Sequence, residues 1–223
     1  MKRKLIEFWT DTLRCRFCNL SKGHRPQFRP IGKLYRSGGV VFVQINPGYI
    51  GGTTKSEILS KYKLPRNMNL ALRKLEKTKY LQDVQKDFLE QPSAKTWDFL
   101  CTEYFKVIRE IWGWPAGRYV QTIEKHGVKL DSIAIVNLAQ CPVQNDNYNR
   151  KLLNRCCEKR TFELLNILRP RIIVAQSKTV FDYLKATYKT NATVLQGVHH
   201  ASRASSEAKE RLFNKVRIQV NKV

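Results

Sequence analysis

Four of the six cysteines in this chain of 223 residues are spaced for ligation. Cys15 and Cys18 form a C-x-x-C pair near the N-terminus, and Cys141 and Cys157 stand far downstream, the first just beyond the apolar run Ile133-Ala134-Ile135-Val136. Thiolates gathered at one point repel one another and oxidise readily, so such a set calls for a metal ion or an inorganic cluster. Cys156, next to Cys157, is a second choice for the fourth position. A second group of chemically capable residues stands where apolar runs end: Asn46-Pro47-Gly48-Tyr49, Asn137 to Cys141, and His199-His200-Ala201-Ser202. Side-chain amides present a donor and an acceptor together, and histidine can donate to a developing negative charge.

These residues need a scaffold that brings them to one place. Val40 to Ile45, Ile133 to Val136, Ile172 to Gln176 and, less strongly, Thr193 to Val198 read as strands, continuous and β-branched as strands buried on both faces are. Between them lie helix-like segments at Met68 to Tyr80, Leu81 to Glu90, Trp97 to Trp112, Arg150 to Leu168 and Lys178 to Tyr188. A short helix over residues 1–14 and a basic amphipathic one over 205–223 complete the pattern. Ser21 to Gly39 reads as a polar, proline-bearing loop. Strands alternating with helices predict a three-layer α/β/α sandwich around a four-stranded, mainly parallel sheet. The whole chain, 1–223, reads as one domain with a long, largely helical insertion at about 49–130. In such sheets ligands bind beyond the carboxyl ends of the strands, so the three polar strand ends are expected on one rim.

Composition narrows the partners. With 42% hydrophobic and 26% charged residues the chain is globular in type, and no apolar run is long enough for a membrane span. Glu7 and Asp11 interrupt the apolar core that a signal peptide would need. The expectation is a cytoplasmic protein, or one located with nucleoid or nuclear DNA, and not a secreted one. There thiols stay reduced and favour metal binding over disulfides. Lysine and arginine number 41 against 18 acidic residues, a formal charge of +23 spread along the chain, which points to a polyanionic partner such as nucleic acid. No membrane contact or obligate protein partner is indicated, and a monomer is the default. Cys101, on a helix with Phe99 and Phe105, reads as a buried free thiol.

The motifs converge on one family. Gln44-Ile45-Asn46-Pro47-Gly48 resembles the first motif of the uracil-DNA glycosylase superfamily in its Asn-Pro-Gly form. Val136-Asn137-Leu138-Ala139-Gln140-Cys141-Pro142 and Leu168 to Ala175 resemble segments of the superfamily's iron–sulfur branch, and His200-Ala201-Ser202 resembles its second catalytic motif, usually His-Pro-Ser. The branch's glycine-rich first motif with a following acidic residue is not present here, so scaffold and catalytic motif resemble different branches.

The resemblance implies a DNA glycosylase that flips uracil, or a related deaminated base, out of DNA and hydrolyses its N-glycosidic bond, the first step of base excision repair. Asn46 would orient the water and His200 would donate to the uracil oxyanion. Asn137 would read the base edge, with Gln44, Ile45, Gly48, Tyr49, His199, Ser202 and Arg203 around the substrate; His199 is the alternative motif histidine. Cys15, Cys18, Cys141 and Cys157 would hold a structural 4Fe-4S cluster, and the same four thiolates also suit zinc. A relative acting on hypoxanthine or xanthine, or a non-catalytic metal-stapled nucleic-acid-binding protein, is the alternative.

Overall fold

The structure, a computed structural model, describes residues 1–15, 26, 28–45, 79–113, 119–140, 154, 156–198 and 206–221. The helix expected over 68–80 lies almost wholly outside them. Four strands, β1 (Val40–Gln44), β2 (Ile133–Asn137), β3 (Ile172–Ala175) and β4 (Thr193–Gln196), form one sheet in the order β2-β1-β3-β4. Every neighbouring pair is parallel. The helices are α1 (Lys2–Leu13), α2 (residues 79–90), α3 (Ala94–Gly113), α4 (Tyr119–Lys125), α5 (Phe162–Leu168), α6 (Lys178–Thr187) and α7 (Ser206–Val220).

Period-two alternation divides each strand between two cores. Val41, Val43, Ala134, Val136, Ile173 and Ala175 pack with apolar residues of α1, α2, α3, α5 and α6. Val40, Phe42, Ile133, Ile135, Ile172 and Val174 pack with α4 and α7 on the other face. This is the expected three-layer sandwich, with every strand parallel. β1, β2 and β3 are buried at every position, whereas β4, at the sheet's edge, is half-buried. That edge position explains the weaker apolar signal at Thr193 to Val198.

The described part of the insertion builds core. Phe88 and Trp97 are buried and their rings lie 6.0 Å apart. On α3 the buried face is Trp97, Leu100, Cys101 and Tyr104, at helical spacing, while Phe99 is 48% exposed and does not share the face of Cys101 as expected. Helix α4 was not anticipated. Its signals are the Tyr119 and Ile123 spacing and Gly127, whose φ of +78° ends the turn in a conformation glycine adopts freely. Glu210 links α4 to α7, accepting from Lys125 Nζ at 2.9 Å and lying 2.6 Å from His126 Nε2.

The loop expected between the cysteine pair and β1 instead covers the free edge of β2. Ile31 bridges Ala134 in antiparallel fashion, with Gly32 N–H donating to Ile133 O and Ile135 N–H to Pro30 O. A Cβ on Gly32 would come within 2.0 Å of Asp131 O, so only glycine permits this approach. Phe28 anchors the segment, fully buried with ring centroids 4.9, 5.4 and 5.0 Å from Trp9, Trp97 and Tyr104. Phe28→Ala should therefore cost about 3–5 kcal/mol of stability in a denaturant titration, and a loss below about 1 kcal/mol would show that the edge segment is not held by this ring.

Candidate functional site

Parallel pairing delivers the carboxyl ends of all four strands to one rim. The order β2-β1-β3-β4 reverses direction at β1, because the chain leaves β1 for one side of the sheet and β3 for the other. In open parallel sheets the ligand crevice forms at that switch point, here between β1 and β3. Gln44, at the end of β1, and Gln176, just past β3, meet there. Both are buried, and Gln44 Nε2 donates to Gln176 Oε1 at 2.7 Å.

Asn137 ends β2 as the register partner of Gln44, so an amide stands at the rim on each of three adjacent strands. Alternation puts Asn137 and Gln44 on the face of Ile135 and Phe42. The Asn137 side chain has no exposed surface, and among the described residues neither Nδ2 nor Oδ1 has a hydrogen-bond partner. A sealed amide without partners costs the fold about 1–3 kcal/mol.

Its backbone, by contrast, is tied from two sides. Leu138 and Ala139 donate their N–H groups to Gln44 O at 2.8 Å and Ile45 O at 2.9 Å. Gln140 Nε2 donates back to Asn137 O at 2.9 Å. The Thr161 hydroxyl lies 2.8 Å from Asn137 O and 2.9 Å from Leu138 O, sharing its one proton between them, and is 3.3 Å from Gln140 Nε2. Thr161 closes the π-turn Cys157–Thr161 that leads into α5. The amide is thus fixed in position while its own hydrogen-bonding groups stay unused.

The same turn carries sulfur chemistry. Cys156 is buried and its Sγ accepts the Gln140 N–H at 3.2 Å, directly before Cys141 in sequence. Arg160 bonds Asp11 of α1 and also the Cys15 thiol. Partial burial works against the Arg160 charge, but the hydrogen bonds it donates to Asp11 and Cys15 outweigh that and raise its pKa. Among the described residues no group of three or more His, Cys, Asp or Glu side chains is placed to hold a metal ion.

Of the site residues expected from sequence, Gln44, Ile45 and Asn137 lie at the carboxyl ends of β1 and β2, with Ile45 half-buried against the first core, and Cys15 lies just past the end of α1. Asn46, Gly48, Tyr49, His199, His200, Ser202, Arg203, Cys18 and Cys141 lie outside the described residues, as does the side chain of Cys157. The described ends of β1 and β4 stop shortly before the two motifs, on the same rim, with β3 between them. At the usual strand spacing that is about 10 Å. Cys101 is a buried free thiol as expected, its pKa pushed up to about 12 by burial. Sequence reasoning missed Gln140, Thr161 and Gln176: Gln140 falls inside the polar strand end Asn137 to Cys141, Gln176 inside the strand read over Ile172 to Gln176, and Thr161 carries no signal.

No family model matches the chain, and no curated protein matches it. The site can be tested directly. Asn137→Leu, close in shape and apolar, should leave the protein as stable or more stable by about 1–3 kcal/mol, and a clear loss of stability on denaturant unfolding would show that the amide serves the fold.

Proposed function

We propose that the chain is a DNA glycosylase of the uracil-DNA glycosylase superfamily that hydrolyses the N-glycosidic bond of uracil, or a related deaminated base, in DNA. The observation that carries it is the immobilised amide of Asn137 at the sheet's carboxyl rim, unpartnered among the described residues. An amide offering one donor and one acceptor fits the uracil edge and mismatches the reversed pattern of cytosine. A site that leaves such a group unpaired until the base arrives discriminates strongly, because a wrong base leaves it unpaired still.

Cleavage breaks the C1′–N1 bond. The electron pair goes to the base as an oxyanion, and water adds to C1′ and releases its proton. In this reading Asn46 holds the water on the face opposite the base, and its amide orients that water without removing its proton. His200 donates to the oxyanion; His199 is the alternative. Gln44 has its Nε2 committed to Gln176, so its part is to lock β1 against β3 beneath the crevice. The +23 charge offsets the cost of flipping the base through phosphate contacts. Cys15, Cys18, Cys141 and Cys157, or Cys156 in its place, would hold a 4Fe-4S cluster or zinc, which supplies a structural staple.

Released base from a labelled oligonucleotide panel of uracil, thymine, hypoxanthine and xanthine tests the activity. Asn46→Ala and His200→Ala should each slow uracil release while DNA affinity changes little, the histidine variant by about 10²–10³-fold. Unchanged release in both would remove these assignments, and release of hypoxanthine or xanthine in preference to uracil would move the substrate. A second experiment concerns the thiols: Cys15→Ser should lose bound metal, with any cluster absorbance, and the cooperative unfolding transition together. A variant that keeps full metal content and stability would place the ligands elsewhere.

A further inference from the structure

Three buried amides mark the carboxyl rim, Gln44 and Asn137 on the second-core face and Gln176 bonded to the first of them, each at most 5% exposed. A fourth polar side chain joins them from the helix that covers this face. Lys209 of α7 is 6% exposed. It begins the stripe of Leu212, Phe213 and Val216, at helical spacing, which packs on the sheet.

α7 runs against the strands, and three contacts set its level. Arg171, just before β3, donates to Val220 O at 2.8 Å, so the helix ends at the amino end of the sheet. The Phe213 ring lies 6.3 Å from that of Phe42, in the middle of β1. Leu212 stands beside Gly197, which follows β4 level with Gln176; a Cβ on Gly197 would lie 3.4 Å from Leu212 Cδ2. Lys209 is three residues nearer the helix N-terminus, about 4.5 Å further along the axis, and helical side chains lean toward that end. The lysine therefore stands at and beyond the strand ends, on the face of Gln44 and Asn137, where α7 crosses β1 and β3 at the switch point. The acids of the same turns face elsewhere: Glu207 is exposed beside Arg211, and Glu210 bonds Lys125 and His126.

Enclosure decides what such a charge can meet. A backbone phosphate stays in water at the mouth of a crevice, whereas a flipped base enters it. An enclosed lysine level with the rim amides is thus placed for the base, and a fixed donor in a dry crevice acts far more strongly than in water.

We infer that Lys209 donates a hydrogen bond to the carbonyl oxygen of the flipped base that becomes anionic as the glycosidic bond breaks. The role rests on the glycosylase reading; the position rests on α7 alone. As C1′–N1 breaks, its electron pair passes to the base and is shared with that oxygen. Water adds to C1′ and gives its proton to solvent, and Lys209 keeps its own proton throughout.

The test is Lys209→Met, which keeps the apolar stem, with Lys209→Arg beside it. Single-turnover release of uracil should fall about 10²–10³-fold in Lys209→Met, while DNA affinity and its salt dependence hold. Release of 5-fluorouracil, whose ring carries negative charge more readily, should fall less, and Lys209→Arg should recover part of both rates. Binding is read separately with free 5-nitrouracil, a base that ionises near neutral pH. Its anion should bind the wild type, and Lys209→Met should weaken that binding by about 10- to 100-fold.

Unchanged release, equal slowing of both bases, or unfolding of both variants overturns the inference. A salt slope that shrinks by about 0.9 on duplex while the rate holds also overturns it, by moving the lysine to a phosphate. A wild type that releases no base yet binds the 5-nitrouracil anion through Lys209 refutes the glycosylase reading alone. Active excision with no change in Lys209→Met refutes this contact alone, and neither release nor anion binding refutes both.

Discussion

An amide enclosed by protein, with no hydrogen-bond partner among the described residues, sets the terms for the rest of this fold. Asn137 keeps that condition at a cost of about 1–3 kcal/mol, in a domain class whose whole stability is about 5–15 kcal/mol. The surroundings hold it by force of packing. Val136 before it and Leu138 after it are fully buried, and Gln44, Ile45, Gln140 and Thr161 clamp the intervening backbone. A free side chain in a rigid frame is what a recognition group needs, because none of the binding energy is then spent on ordering it.

The frame depends on a short irregular stretch. The π-turn Cys157–Thr161 and the residue before it reach in three directions: Cys156 to the Gln140 N–H, Arg160 to Asp11 and Cys15, Thr161 to the Asn137 and Leu138 carbonyls. A π-turn widens the helix by one residue and re-aims the side chains around it. The sulfur-bearing end of α1 and the rim after β2 are therefore held by the same six residues, so the metal or cluster proposed for those thiols would stiffen the frame of the Asn137 amide without touching it.

The strands were legible because burial on both faces leaves little but β-branched and apolar residues at Val40–Val43, Ile133–Val136 and Ile172–Ala175. Their parallel order followed from the helices between them. The edge-covering segment was not legible. Its proline and basic residues read as a loop, and the features that seat it, Gly32 against Asp131 and Phe28 among three rings, are long-range contacts that no local pattern carries. Phe99 misled for a related reason: an aromatic on a helix reads as core until the partner surface decides which stripe is covered. At the site, Asn137 announced itself as a polar residue ending an apolar run, whereas Thr161 acts through one hydroxyl in the middle of a helical segment, a contact that does not exist below the level of tertiary structure.

Charge brings these observations together. With 41 basic and 18 acidic side chains, complete pairing would still leave 23 cations unmatched, and several carboxylates are already engaged, among them Asp11, Asp98, Glu103, Glu124 and Glu210. Self-repulsion on that scale opposes the compact state. The fold thus bears two separate costs, in its overall charge and, among the described residues, in the unpartnered amide of Asn137. A simple anion could relieve only the first and a small neutral ligand only the second, and the nucleic acid proposed above as partner would offer both a polyanionic backbone and hydrogen-bonding bases.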